Sequence, residues 1–486
     1  MLSILHVSDL HRSKEEPVDN DSLLAALLAD RDRYVTATPK IPPPDAIVVS
    51  GDLIQGAQLN ASGWQKSLED QYKVAEHFLA TLCNLFLDGD RSRVVLVPGN
   101  HDVCWNTSRL AMKKVPDEQY PSNLYDVLIK PDSIYRWSWS EQALFHIVDM
   151  ALYKQRMSRY WDFIESFYRD VALPLPIDRE RGFQLFEFCN RNVVVAAFDS
   201  IEGNDCFSFS GALLPGAVGR CAMVLRDFTR SYDLKIALWH HSIQGPPTRS
   251  DYMNVSQVQE MIGHGFQLGL HGHQHVGEIE TQFVHLDQRR SMAVVSAGSL
   301  CAGAREMPRG VNRQYNLIVI EDDFKRGRVH VREMAEGGQF TLKNNGAFSE
   351  GFVEISWQPL LDMMGRQIDT KAANAKLAIS KAEAALLDGK LHEVAGELRD
   401  VDLSSPSYAR NLMIEALQKQ EDWSKLSAFL ENPGGIEEIV LLVSALIASN
   451  NLDDAETRLN AATELDAATH ADLLKRLEAK RMLRQL

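Results

Sequence analysis

Five short groups of polar residues contain side chains that bind metal ions, and each group directly follows a predicted strand. Carboxylates, imidazoles and the amide oxygen of asparagine are the donors that borderline-hard divalent ions accept. Each group alone is a weak signal, but five in succession at strand ends indicate a metal centre. In chain order the groups are Asp9-Leu10-His11, Gly51-Asp52, Gly99-Asn100-His101-Asp102, His240-His241 and Gly272-His273-Gln274-His275.

The runs before these groups are short, apolar and rich in β-branched residues, which predicts buried strands. Open α/β sheets carry their chemistry at the carboxyl edge of their strands, so we expect the five groups to meet at one edge. Helical spacing predicts helices near Leu23–Leu28 and over Gln65–Leu87. The predicted strands are Leu2–Ser8, Ala46–Ser50, Arg93–Val97, Val193–Phe198, Lys235–Trp239, Gln267–His271, Met292–Ala297, Tyr315–Glu321 and Arg328–Arg332.

Residues 103–192 differ from the strand-rich parts and are rich in aromatic residues, so we expect a helical insertion between the halves of the sheet. Rings in this segment could stack on the bases of a nucleotide or a single strand. The alternative, which we favour, is that they form the core of the insertion itself. The rings in question are Trp105, Trp137, Trp139, Tyr160 and Trp161.

After about residue 356, strand patterns give way to helices rich in Ala, Leu and Glu, which predicts domains at 1–355 and 356–486. Leu391, Trp423 and Leu452 occupy equivalent places in three similar phrases, 32 and 29 residues apart. A period near thirty is typical of arrays of helical hairpins. The region weakly resembles tetratricopeptide repeats, and the alternative is an irregular helical domain.

Composition excludes several classes of protein. The 486 residues carry a formal charge of −15 and are 45% hydrophobic, as in an ordinary folded protein without strong electrostatic affinity for nucleic acid. The apolar runs are too short to predict a membrane-spanning helix, and the first residues do not form a secretory signal. Six scattered cysteines predict reduced thiols, so we expect a cytoplasmic protein.

The pattern D-x-H, G-D, G-N-H-[DE], H and G-H-x-H resembles that of the calcineurin-like metallophosphoesterase superfamily. The resemblance covers roughly residues 1–335 outside the insertion. It implies a four-layer α/β/β/α sandwich that holds two divalent metal ions. We expect manganese, and the alternatives are iron, zinc or nickel. By position, one ion would be held by Asp9, His11 and His275, the other by Asn100, His240 and His273, with Asp52 bridging them.

The resemblance also implies a reaction. Two adjacent cations lower the pKa of a bridging water, and the resulting hydroxide attacks the phosphorus of a bound phosphoester. His101 is the expected general acid for the leaving oxygen, and its alternative role is to orient a ligand.

Two departures from the motifs of the protein phosphatases restrict the expected class of substrate. Protein phosphatases of the superfamily carry G-D-x-x-D-R-G and G-N-H-E, whereas Gln55 and Asp102 stand at two of those places here. The motifs are closer to the branch of cyclic-nucleotide phosphodiesterases and DNA-repair exonucleases. We therefore expect hydrolysis of a phosphodiester or phosphomonoester of nucleotide type. The alternatives are a nuclease that works with a partner in nucleic-acid defence or repair, and a scaffold with a vestigial site.

Four arginines are candidates for binding substrate phosphate, because a guanidinium can bind phosphate oxygens in a bidentate way. The alternative is that they form ion pairs in a solvated loop. We also expect the C-terminal helices to bind a protein partner or a second copy of the chain, and we expect no membrane contact. The four arginines are Arg12, Arg305, Arg309 and Arg313.

Overall fold

The protein was analysed as a computed structural model. The chain divides into two compact units, Met1–Asp362 and Met363–Leu486. The residues that the structure describes are 1–13, 18–128, 130, 133–190, 192–228, 231–244, 251–284, 287–303, 306–308, 310–343, 348, 350–357, 370–404, 407–462 and 465–485.

The first unit is built on β-strands, including all nine that the apolar runs predict. In the described part of the chain the strands are β1 Leu2–Val7, β2 Ala46–Val49, β3 Val94–Leu96, β4 Met112–Lys114, β5 Tyr135–Ser138, β6 Ala143–Ile147, β7 Phe183–Phe188, β8 Val193–Phe198, β9 Leu234–Leu238, β10 Leu268–His271, β11 Glu278–Val284, β12 Asp287–Ser296, β13 Gln314–Ile320, β14 Arg326–Met334, β15 Phe340–Leu342 and β16 Val353–Ser356.

Helices join and cover these strands. The α-helices of the first unit are α1 Asn20–Arg31, α2 Trp64–Leu87, α3 Trp105–Leu110, α4 Leu124–Leu128, α5 Met150–Lys154, α6 Ser158–Phe167, α7 Ala217–Asp227 and α8 Val255–Gly263. Helix α1 begins at an N-cap, where the side chain of Asp19 accepts a hydrogen bond from the backbone of Ser22.

Two large sheets form the centre of the first unit. One has the order β15-β14-β13-β1-β2-β3, with β16 paired to β14, and the other has the order β11-β12-β10-β9-β8-β7. The strands β1, β2 and β3 are parallel, as are β8, β9, β10 and β12. Parallel neighbours end at the same edge, so the loops after β1, β2 and β3 lie side by side, as do those after β9 and β10.

The alternation of side chains along β8 explains the layers. Val193 and Val195 lie in a central core together with residues of β1, β2 and β3, so the two sheets pack face to face. Val194 and Phe198 point the other way, into a second core formed with α7 and α8. Helices α1, α2 and α6 add residues to the central core from the side of the first sheet. The expected α/β/β/α sandwich is therefore confirmed.

Residues 103–192 contain helices α3 to α6, as expected, and also strands that the sequence did not indicate. A small antiparallel sheet of order β4-β6-β5 has a core of its own, and β7 joins the edge of the second large sheet. Strands of three to five residues are too short for their alternation to be distinguished from a helical pattern.

The second unit is helical throughout its described residues, which confirms the predicted C-terminal helical region. Each of the three repeated phrases starts a helix: Leu391 begins α10, Trp423 begins α12 and Leu452 begins α14. None of the described helices is both long enough and apolar enough to cross a membrane. The helices of this unit are α9 Thr370–Leu387, α10 Leu391–Glu397, α11 Tyr408–Lys419, α12 Trp423–Phe429, α13 Ile436–Ala448, α14 Leu452–Ala461 and α15 Ala467–Gln485.

Candidate metal centre

The loops after β1, β2, β3, β9 and β10 bring the five polar groups of the sequence together. On one side of the cluster, Nε2 of His275 lies 3.2 Å from Oδ1 of Asp9 and 3.4 Å from Nε2 of His11. Asp9 and His11 are fully buried, and Oδ1 of Asp9 accepts no hydrogen bond. A buried carboxylate oxygen without a donor, facing two imidazole nitrogens, is an arrangement that a cation would satisfy.

On the other side of the cluster, an amide oxygen faces two imidazoles. Oδ1 of Asn100 lies 3.0 Å from Nε2 of His240 and 3.0 Å from Nδ1 of His273. These two ring nitrogens are 3.3 Å apart. The donor set of one carbonyl oxygen and two imidazoles suits a divalent transition metal.

The carboxylate of Asp52 lies between the two sides. Its Oδ2 is 3.3 Å from Nε2 of His240 and 3.8 Å from Nε2 of His11, while its Oδ1 accepts a hydrogen bond of 2.8 Å from the backbone N–H of His101. Ligand atoms of Asp52 therefore fall into two overlapping groups with metal-binding geometry, one with His11 and His101 and one with Asp9 and His240. This is the position expected of a shared ligand.

Backbone carbonyls orient two of the candidate histidine ligands. Nδ1 of His240 lies 2.7 Å from the carbonyl oxygen of Ser50, and Nδ1 of His275 lies 2.9 Å from that of Glu306. Since a carbonyl only accepts, each Nδ1 must carry the proton in the neutral ring, which leaves the lone pair on the Nε2 that faces the cluster. Such outer partners fix the tautomer of metal-binding histidines.

The backbone at the cluster is strained. Five of the candidate ligands have a positive φ, which ordinary residues rarely adopt: Asp9 (50°), His11 (43°), Asp52 (52°), His273 (78°) and His275 (62°). Each such conformation costs of order 1–3 kcal/mol and is retained where the site requires it.

Glycines next to the ligands leave room for them. A Cβ on Gly51 would lie 2.4 Å from Nδ1 of His240, and a Cβ on Gly99 would lie 2.2 Å from Oδ1 of Asp52. Distances this short are not tolerated, so at both positions the space of a side chain is filled by a candidate ligand. The glycines of the sequence motifs are therefore explained by close approach.

The electrostatics of the cluster favour ionised carboxylates. Burial would raise the pKa of Asp9, but the nearby charge of His275 outweighs it and holds that pKa well below its usual range. Burial is likewise outweighed at Asp52, where His240 and His101 lower the pKa. Burial lowers the pKa of His11 to about 3. For Asp9, Asp52 and His11 these are the protonation states that bind a metal, whereas at His240 and His275 burial is outweighed by the carboxylates, which raise the pKa.

His101, the expected general acid, lies at the edge of the cluster and is partly exposed. Its ring packs edge-on against that of His11, with the centroids 4.5 Å apart, and its Nδ1 lies 2.8 Å from the carbonyl oxygen of Gln55. Asp102 points away from it: its carboxylate accepts hydrogen bonds from the backbone of Leu53 and Gly99 and so holds the loop.

Some neighbouring residues have supporting positions. His241 lies behind the cluster, with its Nδ1 2.9 Å from the hydroxyl of Ser200, which also accepts a hydrogen bond from the backbone of His240. His271 stacks on Trp239. Asp251, which no sequence motif indicates, has its Oδ2 3.2 Å from Nε2 of His273.

The described arginines that were predicted to bind phosphate are not bonded to the cluster. Arg12 is 1% exposed, and its guanidinium donates to Sγ of Cys301 and to the carbonyl of Val18. The described hydrogen bonds of Arg313 go to the carbonyl of Ala302 and to the sulfur of Met334. Neither guanidinium is bonded to a candidate ligand in the described structure. Arg305 and Arg309 lie outside the described residues.

The aromatic residues of the insertion divide between core and surface. Tyr160 is 2% exposed and lies in the central core, against which Trp161 and Trp105 also pack. Trp139 is 84% exposed and touches Trp137 edge-on. Three of these rings therefore have a packing role, but in the central core of the two sheets, whereas we expected a separate core of the insertion, which of the five only Trp105 contacts.

The chain was compared with solved structures and with curated proteins. A dimetal phosphatase from Danio rerio shares 12% identity with a TM-score of 0.38, over 74% of this chain and 99% of that one. The calcineurin-like phosphoesterase YfkN from Bacillus subtilis shares 14% identity with a TM-score of 0.28, over 74% and 90% of the two chains. No curated protein matches the sequence closely enough to count as a relative.

The family model supplies the identity. The model of the calcineurin-like phosphoesterases matches residues 2–277, which is more than half of the chain and includes every candidate ligand described above. The family implies two divalent metal ions, and the donor set at the sheet edge fits them. The chain thus belongs to the calcineurin-like phosphoesterase family and is a metal-dependent phosphoesterase.

Proposed function

We propose that the chain hydrolyses a phosphodiester of nucleotide type with two manganese ions. The observation that carries the proposal is the position of Asp52, whose carboxylate lies between the two groups of candidate ligands. Asp9, His11 and His275 would hold one ion, and Asn100, His240 and His273 the other, with Asp52 shared. The ions would supply positive charge for the phosphate oxygens and activate the attacking water.

Manganese suits this donor set. Carboxylate and amide oxygens together with imidazoles are ligands for Mn and Fe as well as for Zn, whereas thiolates would select softer ions. None of the metal-binding groups found among the described residues contains a cysteine. This composition supports an ion of intermediate hardness at both positions.

His101 would protonate the leaving oxygen. The carbonyl of Gln55 accepts from its Nδ1, which orients the ring, and in the imidazolium form the second proton, on Nε2, would be the one given to the leaving oxygen. The ring contact with His11 keeps His101 beside the metal ligands. A general acid in this position stabilises the developing negative charge on the leaving group.

The form of the motifs supports a diester. Gln55 and Asp102 stand where the protein phosphatases of the superfamily carry Asp and Glu, and the motifs are closer to those of its phosphodiesterases and exonucleases.

A substrate panel tests the proposal. Manganese-loaded protein is incubated with bis-p-nitrophenyl phosphate, p-nitrophenyl phosphate, cyclic and linear dinucleotides, and labelled single- and double-stranded DNA. We expect the diester reporter and the small nucleotides to be cleaved fastest. Faster cleavage of DNA would favour the nuclease alternative, and the absence of any metal-dependent hydrolysis would overturn the proposal.

We further propose that the second unit is an array of tetratricopeptide-like hairpins that binds a protein partner or a second copy of the chain. The turn at Asp388–Lys390 joins α9 to α10, and the turn of equal length at Gln420–Asp422 joins α11 to α12. Arg410 of α11 and Glu438 of α13 form a bidentate ion pair, with both N–O distances 2.8 Å, which ties successive hairpins together.

Truncation after Asp362 tests this role. The cut retains β16 and the buried Trp357, whose Nε1 donates to the carbonyl of Phe324. We expect the truncated protein to hydrolyse the diester reporter at the full-length rate but to lose self-association or partner capture. Loss of reporter hydrolysis in a protein with an unchanged thermal transition would show that the helices act in catalysis.

A further inference from the structure

The histidines of the cluster differ in the partner of their outer nitrogen, the ring nitrogen that points away from the other candidate ligands. For His240, His275 and His101 the partner of the outer nitrogen is a neutral backbone carbonyl. For His273 it is a carboxylate, since Oδ2 of Asp251 lies 3.2 Å from Nε2 of the ring. The inner nitrogen, Nδ1, faces Asn100 and His240. Among these four imidazoles, His273 alone therefore has a carboxylate beside its outer nitrogen.

The position of Asp251 is fixed by its own segment. The backbone N–H of Met253 donates to the carbonyl of Ser242, which closely follows His240 in sequence, with an N–O distance of 2.7 Å. The carbonyl of Tyr252 accepts a hydrogen bond of 2.9 Å from the backbone N–H of Gly211. Met253 is 3% exposed and lies in the second core, formed with α7 and α8. The backbone that follows Asp251 is thus fastened to the strand end that carries His240.

We infer that Asp251 is a positioning residue for the metal ion on the Asn100, His240 and His273 side, an inference that rests on the proposed function. A carboxylate behind a metal-binding imidazole fixes its tautomer and raises its basicity. Nε2 of His273 makes no hydrogen bond in the described structure, so the carboxylate 3.2 Å away would act through its charge, which favours the proton on Nε2 and leaves the lone pair on Nδ1. It also adds one negative charge to the cluster, beside Asp9 and Asp52.

The inference predicts an asymmetric effect. Removal of the carboxylate weakens the hold of His273 on its ion but leaves the other group of ligands intact, because His275 and His11 have no described contact with Asp251. Outer-shell partners of this kind are worth 10–100-fold in metal affinity. The ion held by Asp9, His11 and His275 should bind as in the unaltered protein.

The test uses the full chain, Mn²⁺ titration by calorimetry, and electron paramagnetic resonance. The variants are Asp251→Asn, Asp251→Glu, and Glu260→Gln as a matched control, because Glu260 is an exposed carboxylate on the neighbouring helix α8. In Asp251→Asn we expect one site of unchanged affinity and one weakened by about 10–100-fold. Asp251→Glu should restore the second site in part, and Glu260→Gln should bind both ions normally.

Two outcomes would overturn the inference. One is wild-type affinity at both sites in Asp251→Asn, and the other is equal weakening of both sites, which indicates a general structural role. These results are distinct from failure of the proposed function, which would appear as a wild-type protein that binds two ions without hydrolysing any phosphodiester. Such a protein would still show whether Asp251 controls one of the two sites.

Discussion

Oδ2 of Asp52 lies 3.3 Å from Nε2 of His240, although one residue follows β2 in the first sheet and the other follows β9 in the second. The contact therefore joins the two sheets at their common edge. The contact changes the pKa of His240. Burial would lower that pKa, but the charge of Asp52 raises it to about 9. The metal centre is thus assembled by the packing of the two sheets.

Metal affinity should rise with pH because of this pair. Below about pH 9 the metal-free His240 carries a proton that an incoming ion must displace, and above it the ring is neutral and ready to bind. We expect the affinity for Mn²⁺ to increase about tenfold per pH unit between pH 6 and 8 for each proton released. Calorimetry in buffers of different ionisation enthalpy measures the protons released. Affinity that is independent of pH would contradict the prediction.

His101→Asn should separate acid catalysis from metal binding. We expect kcat for a dinucleotide to fall by about 10²–10⁴-fold, because its leaving alkoxide needs a proton. The effect on bis-p-nitrophenyl phosphate should be much smaller, since nitrophenolate leaves without help. Both ions should remain bound, as measured by metal analysis. His264→Asn, a change to a partly exposed histidine next to α8, is the control. An equal loss on both substrates would argue against the role of general acid.

Gly99→Ala tests whether the glycine is required for space. The backbone φ of −117° at Gly99 is one that alanine adopts freely, so a defect must come from the added Cβ, placed 2.2 Å from Oδ1 of Asp52. We expect Mn²⁺ affinity to fall at least tenfold, with the fold retained, because Asp52 must shift. Gly263→Ala is the matched control, since a Cβ there has no neighbour within 4 Å. Unchanged affinity in Gly99→Ala would rule out this explanation.

Asp199→Asn should stabilise the protein at neutral pH. Burial raises the pKa of Asp199 from 3.8 to about 6, so the unfolded chain ionises at lower pH than the folded protein. Stability is therefore lost as the pH rises from about 4 to 6, and it stays reduced above that range. We expect the variant to gain about 1 kcal/mol at pH 8, a gain that should vanish near pH 4. Denaturant unfolding at both pH values measures it, with the exposed Asp233→Asn as control. A gain independent of pH would contradict the stated cause.

Sequence reasoning identified the candidate ligands that the structure brings together, because each one follows a strand whose apolar run is recognisable locally. It could not locate Asp251, which precedes α8 without any motif and reaches His273 only through the backbone bonds of Met253 and Tyr252. The prediction for Arg12 relied on nearness in sequence to His11. The backbone turns at His11, whose φ is 43°, and the guanidinium of Arg12 packs against Cys301 and Phe78.

The small sheet of the insertion could also not be predicted from local sequence patterns. Its strands β4, β5 and β6 pair only with one another, and their core with Phe207 forms through contacts across the chain. The C-terminal helices were recognised more easily, because the phrases at Leu391, Trp423 and Leu452 repeat a turn followed by a helix start. Long-range packing, which no local window contains, accounts for what was missed.

The central claim is that one carboxylate, that of Asp52, is shared by two metal ions. Its most direct test is electron paramagnetic resonance of the full chain loaded with Mn²⁺, with metal analysis and diester hydrolysis measured on the same samples. We predict two ions per chain with an exchange-coupled spectrum. In Asp52→Asn, the coupling should be lost and hydrolysis should fall at least about a hundredfold. A wild-type spectrum of isolated ions, or a coupled spectrum that survives in Asp52→Asn, would contradict the claim.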